Sequence, residues 1–229
     1  MHSRNPRIIN IAQLMGRTAA SLAMKLVNLA SLDPAHRDRG IRGLSGHSHA
    51  DAEIWRQFKE NWAEMSIMSE QKLQALESSG PVAVPEGDQL QAGSTEVTKA
   101  VTVRIMQGFF RKVVLAAYGN TCCVTGNPIE DLLVASHILP WSQFPDQRLN
   151  PRNGLCLVAD FDRAFDRGLI TFDDQLRLEL SPVIENYLPN QFIEHQFCER
   201  AGQPLRLPER FEPSREFLAY HRAHIFQDQ

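Results

Sequence analysis

Residues Ala135-Ser136-His137-Ile138-Leu139-Pro140-Trp141 set one imidazole in a run that is otherwise apolar or small. Burying a polar ring costs free energy unless it finds a partner. The fold must therefore bring hydrogen-bonding groups to His137. The segment "LLVASHI" reads as a strand of buried-type residues, preceded by a turn at Thr125-Gly126-Asn127-Pro128. A long loop follows, "SQFPDQRLNPRNG", interrupted by Pro145 and Pro151. Then "LCLVAD" reads as a second strand, or a strand running into a helix, and "DFDRAFDRG" as a short helix closed by Gly168. The order is strand with histidine, loop with asparagine, strand, acidic helix.

Around this core the pattern predicts an amphipathic helix in "VTVRIMQGFFRKVVLAAYGNTC" that ends near Tyr118, with Gly119 and Asn120 as its stop. Downstream, "LITFDDQLRLEL" alternates as a β-hairpin around Asp173 and Asp174, and "YHRAHIF" reads as a last helix. Upstream, residues 77–97 are rich in Gly, Pro, Ser and Gln, and residues 79–97 read as a linker between a helical module over 1–78 and a second domain over 98–229. The expected fold class is α+β.

The N-terminal module opens with one apolar block, Ile8, Ile9, Ile11, Ala12, Leu14 and Met15, and a second at helical spacing, Leu22, Ala23, Leu26 and Leu29. Gly16 separates them and Thr18 suits the N-cap of the second helix. Such a pair resembles a helix-turn-helix, with Lys25 and Asn28 as side chains for a DNA groove. Plain helical packing needs the same turn, so both readings stand. Farther on, Ile54, Trp55, Phe58 and Trp62 form an aromatic stripe expected in the core of one helix. His47 and His49 lie in a loop without a third ligand, which argues against a metal there.

Composition removes several classes. The longest apolar runs, such as "VVLAAY", fall far short of the roughly 18 residues of a membrane span, and the start lacks the basic-then-apolar pattern of a secretory signal. Cys122, Cys123, Cys156 and Cys198 include no C-x-x-C pair, so reduced thiols in a cytoplasmic protein are expected, with a structural zinc on Cys122, Cys123 and Cys156 disfavoured. The net charge of −3 is spread as a slightly basic N-terminal part and a slightly acidic C-terminal one. A site that holds metal through carboxylates carries local acid, so this balance leaves a phosphate-bearing substrate open.

The ordered residues Ala135-Ser136-His137-Ile138, Pro140-Trp141, Asn150-Pro151-Arg152-Asn153-Gly154-Leu155-Cys156-Leu157 and Phe165-Asp166-Arg167-Gly168 resemble the HNH endonuclease family, in the subgroup with this pattern. The resemblance implies a ββα-metal finger, two antiparallel strands and a helix around one divalent ion, that cuts DNA phosphodiester bonds. It implies His137 as general base and Asn153 as the residue that fastens the loop and orients the histidine. It also implies double-stranded DNA as the partner, no membrane, a homodimer as one arrangement, and a prokaryotic restriction or defence role.

The residues suit the chemistry. A neutral imidazole accepts a proton near physiological pH, and an amide both donates and accepts without competing for that proton. The metal ligands depart from the family pattern. Ser136 precedes the histidine where many members carry Asp or His, and Phe161 stands where a helix histidine is often found. Asp162 and Asp166, four apart on the acidic helix, share a face and are the expected ligands for Mg²⁺ or Mn²⁺, with Ni²⁺ or Zn²⁺ as alternatives. Asp160 would point elsewhere. Each residue also has a plainer reading: His137 as a bonded core histidine, Asn153-Gly154 as a hairpin turn, the two aspartates as partners of Arg163 and Arg167. The other functional class is a DNA- or partner-binding protein that keeps the HNH fold without cleavage.

Overall fold

The computed structural model describes residues 2–34, 46–78 and 95–228, with side chains of the last stretch from residue 103 onward. Residues 79–94 of the expected linker lie outside the described ones, and 95–97 open a helix. The chain forms two compact units, 1–105 and 106–229. The fold class is α+β: the first unit is helical among the described residues, and the second carries helices with two small antiparallel sheets.

In the first unit, α1 (Pro6–Leu14) begins where Asn5 accepts from the N–H groups of Arg7 and Ile8, and Pro6 supplies a helical φ at the first position. Gly16, at φ +62°, turns the chain, and Thr18 caps α2 (Ala19–Ala30) by accepting from Ser21 N–H at 3.2 Å. α3 (His49–Glu60) opens on a capping box between Ser48 and Asp51. Asp51 is buried and accepts Lys25 Nζ on both oxygens, at 2.8 and 3.0 Å, while Asn28 Nδ2 donates to Gly46 O at 3.1 Å. The two side chains expected to reach into a DNA groove are thus engaged inside the unit.

The aromatic stripe departs from expectation. Asn61 leaves helical geometry at φ −128° and ψ 52°, so Trp62 starts a separate helix, α4 (Trp62–Ser78). Asn favours such exits because its amide competes for backbone groups. Phe58 and Trp62 still meet edge to face with centroids 6.1 Å apart, but Ile54 is exposed and Trp55, Phe58 and Trp62 are half-buried rather than core.

The second unit is built on β1 (Leu133–His137) and β2 (Gly154–Val158), antiparallel, with Leu133 opposite Val158 and His137 opposite Gly154. β2 is buried along its whole length. One side of it is covered by α5 (Thr95–Ala117), whose Phe110 and Val114 approach so closely that a Cβ on Gly154 would lie 2.4 Å from Val114 Cγ2. Only glycine permits that contact without a shift. The Asn153-Gly154 pair therefore opens a strand and is no hairpin turn. β2 runs directly into α6 (Ala159–Asp166), which turns Phe161, Ala164 and Phe165 inward. A hairpin of β3 (Ile170–Phe172) and β4 (Leu178–Leu180) follows, then the short α7 (Gln191–Gln196) and α8 (Arg215–His224), which starts five residues earlier than "YHRAHIF" suggests.

The end of α6 is closed as a Schellman motif. Leu169 N–H donates to Ala164 O at 2.8 Å and Gly168 N–H to Phe165 O at 2.9 Å, with Gly168 at φ +67°. The C-terminal segment covers this turn: Gln227 N–H donates to Gly168 O at 2.9 Å, and a Cβ on Gly168 would lie 2.0 Å from Ile225 O. Gly168→Ala therefore combines left-handed strain with a backbone collision, and is expected to lower unfolding free energy by at least about 2 kcal/mol. Urea unfolding of the two proteins checks this; an unchanged midpoint would mean the tail is not seated on the turn.

Candidate active site

β1 delivers His137 to the rim of a cleft of about 530 Å³ whose walls also include Ser136, Trp141, Asp162, Asp166 and His221. His137 Nε2 lies 3.0 Å from Arg148 O. A carbonyl only accepts, so Nε2 carries the hydrogen and Nδ1 keeps its lone pair. Nδ1 has no hydrogen-bond partner among the described residues. The ring stacks on Phe110 with centroids 3.7 Å apart and 12° between planes, and Trp141 meets it edge-on at 5.3 Å. Burial pushes the imidazole below its ordinary 6.5; the bond to Arg148 O opposes this, and the Arg148 guanidinium adds to it. The ring is neutral at physiological pH.

Asn153 is buried, and its side-chain hydrogen bonds go to the backbone rather than to the His137 ring. Its Oδ1 accepts from Leu139 N–H at 2.7 Å and its Nδ2 donates to Gln147 O at 3.1 Å and Leu139 O at 3.5 Å, while Ile138 N–H donates to Asn153 O at 3.0 Å. One amide therefore clips both ends of the loop that follows β1. That loop returns Arg148 O to the histidine.

Asp162 and Asp166 both face the cleft from α6. Burial raises the carboxyl of Asp162, with the Ser136 hydroxyl and Arg163 opposing; burial and then the charge of Asp162 raise that of Asp166, with Arg163 and Arg167 opposing. Neither aspartate is in an ion pair among the described residues, so the reading of both as partners of the neighbouring arginines finds no contact. Ser136 Oγ is buried without a hydrogen-bond partner, although it lies near enough to Asp162 to lower it. Two carboxylates made reluctant to ionise and an orphaned hydroxyl suit a cation. Among the described residues no three His, Cys, Asp or Glu side chains converge to hold a metal unaided. That donor set fits a hard ion that keeps several waters, such as Mg²⁺ or Mn²⁺, better than zinc.

Phe161, at the position where the family often carries a helix histidine, points into the core and not into the cleft. It is wholly buried and packs on Phe197 with centroids 5.0 Å apart. The carboxylate of Asp162 occupies the helix position that faces β1, and Asp160 is exposed away from the cleft. Cys122, Cys123 and Cys156 are free, buried thiols; burial holds Cys123 well above its usual value and pushes Cys156 up to about 12.

Residues 122–173 match the family described as HNH endonuclease. The C-terminal unit carries an HNH endonuclease domain. A solved structure, a modification dependent TagI restriction endonuclease, is similar at 20% identity and a TM-score of 0.36, over 51% of this chain and 37% of that one. No curated protein matches the chain.

Three contacts around His137 and the end of α6 left no side-chain signal near the motif. Arg148 acts through its carbonyl, Phe110 comes from a helix upstream, and His221 comes from α8, outside the matched residues. Leu218 and His221, three apart and both buried, do mark the inner face of α8. His221 is 1% exposed, and burial lowers its pKa to about 4. The unfolded imidazole thus binds a proton that the folded one refuses, so this contribution to stability is complete above about pH 6.5 and is lost as pH falls towards 4. The loss amounts to about 2–3 kcal/mol across that window. Denaturant unfolding at stepped pH should show a flatter profile for His221→Gln than for the parent; parallel profiles would mean His221 is not buried in the neutral form.

Proposed function

We propose that the protein is a metal-dependent endonuclease that hydrolyses DNA phosphodiester bonds. The observation that carries this reading is the convergence, within an HNH domain, of an imidazole with an unengaged Nδ1 and two carboxylates on one cleft. Asp166 and Asp162 would hold a divalent ion, which would supply positive charge to stabilise the phosphate and the leaving group. His137 Nδ1 takes a proton from the attacking water as the new P–O bond forms and the P–O bond to the leaving deoxyribose oxygen breaks. The Nε2–H bond to Arg148 O keeps the tautomer that makes Nδ1 the base. Asn153 holds the loop that carries Arg148 O, which makes it a positioning residue.

The finer reading extends to the substrate and setting. Double-stranded DNA, a homodimer that brings two single-cut sites together, and a prokaryotic restriction or defence role follow from the HNH resemblance. The helical module over 1–78 would position DNA or a partner for the domain over 98–229. Free buried thiols suit a cytoplasmic setting, and among the described residues no helix is long and apolar enough to cross a membrane.

His137→Ala is expected to lower the cleavage rate by about 10²–10⁴-fold while DNA affinity changes little, because general-base catalysis is worth roughly that much. Single-turnover cleavage with a parallel mobility-shift titration separates the two quantities, and full activity in the variant removes His137 from the mechanism. Asp166→Asn keeps the shape and removes the charge, so the Mg²⁺ or Mn²⁺ needed for half-maximal cleavage should rise at least about tenfold. Asp162→Asn should act in the same direction. A metal titration unmoved by either amide would place the ion on other residues.

A further inference from the structure

We propose that His221 is a positioning residue for the nuclease site, holding the last turn of α6, and with it Asp166, through the carbonyl of Phe165. The inference rests on the reading of Asp166 as a metal ligand. α6 is only eight residues long, and its last carbonyls need partners from outside the helix. The Schellman turn supplies one donor to Phe165 O; His221 Nε2, at 3.0 Å, supplies another. Because a carbonyl only accepts, Nε2 carries the hydrogen, and Nδ1 accepts from the Thr171 hydroxyl at 2.9 Å. The ring also lies flat on Phe165, with centroids 3.7 Å apart and 6° between planes.

A leucine could fill that space without the cost of burying an imidazole. What the imidazole adds is direction: both nitrogens are bonded and one face is stacked, so the carbonyl that immediately precedes Asp166 has a single place to be. His221 lines the same cleft as Asp166. A ligand held from behind in this way loses affinity when the outer partner is removed, by about tenfold or more in comparable metal sites. Residue 221 lies on α8, outside the residues matched to the family.

The test is Mn²⁺ binding to the full chain without DNA, read by electron paramagnetic resonance of the free ion, on the parent, His221→Gln, His221→Leu and Asp166→Asn. Circular dichroism confirms folding, and metal-free DNA binding provides the control. The Gln amide nitrogen can stand where Nε2 stands and still donate to Phe165 O. His221→Gln should therefore stay within about twofold of the parent, while His221→Leu raises half-saturation by about tenfold and leaves metal-free DNA binding unchanged. A folded His221→Leu with the parent curve overturns the proposal, as does an equal shift in both variants. If the leucine variant does not fold, Thr171→Val removes the donor to Nδ1 at nearly constant shape; a rise of at least about threefold supports the proposal, and an unchanged curve overturns it. Should Asp166→Asn leave Mn²⁺ binding unmoved, the ligand assignment falls and this inference falls with it. Should Asp166→Asn move it while His221→Leu does not, only the inference falls.

Discussion

The hydrogen bond from His137 Nε2 to Arg148 O decides which nitrogen of the ring is available, and much of the second unit serves to make it possible. The two residues are separated by a loop that would close poorly unaided, since loop closure costs entropy that only later contacts recover. Asn153 offsets that cost with one buried amide bonded to Leu139 at one end and Gln147 at the other. Gly154 then lets Phe110 and Val114 of α5 press against the strand pair, which brings Phe110 onto the imidazole face. Tautomer, ring plane and loop path are therefore set by three separate contacts. A change in any of them reaches the imidazole.

The acidic side of the cleft follows a different logic. α6 leaves β2 without a connecting loop, so the phase of the helix is inherited from the strand: Phe161 and Phe165 go to the core, and Asp162 and Asp166 go to the cleft. Burial raises both carboxyls, and the charge of Asp162 raises Asp166 further, an arrangement that costs stability in the absence of a countercharge. The nearby Arg163 and Arg167 relieve this only in part. Such strain is common where a site is shaped for a ligand rather than for the empty protein.

The order of elements around His137 was legible because each carries a local signature: an apolar strand, a proline-bearing loop, a second apolar run, a helix stopped by Gly168. The pairing of Asp162 with Asp166 was legible from helical spacing alone. That Phe161 goes to the core and Asp162 to the cleft is not readable by counting along the motif, because the continuous run from β2 sets the helix phase. Trp62 was assigned to the wrong helix because Asn61, an acceptable interior residue by propensity, exits the helix here. Arg148 was invisible as a partner, since a backbone carbonyl has no side-chain signature. His221 lies 56 residues from the carbonyl it bonds, a separation that no local pattern spans.

The most direct measurement of the account is a plasmid assay with the purified chain in Mg²⁺, Mn²⁺, Ni²⁺ or Zn²⁺, and in EDTA. Hydrolysis at a site built from His137, Asp162 and Asp166 predicts nicked or linear product with at least one divalent ion and intact plasmid in EDTA. Plasmid that is bound and retarded but left whole with every ion would contradict it, and would mark the cleft as a binding site that has kept the HNH fold without its chemistry.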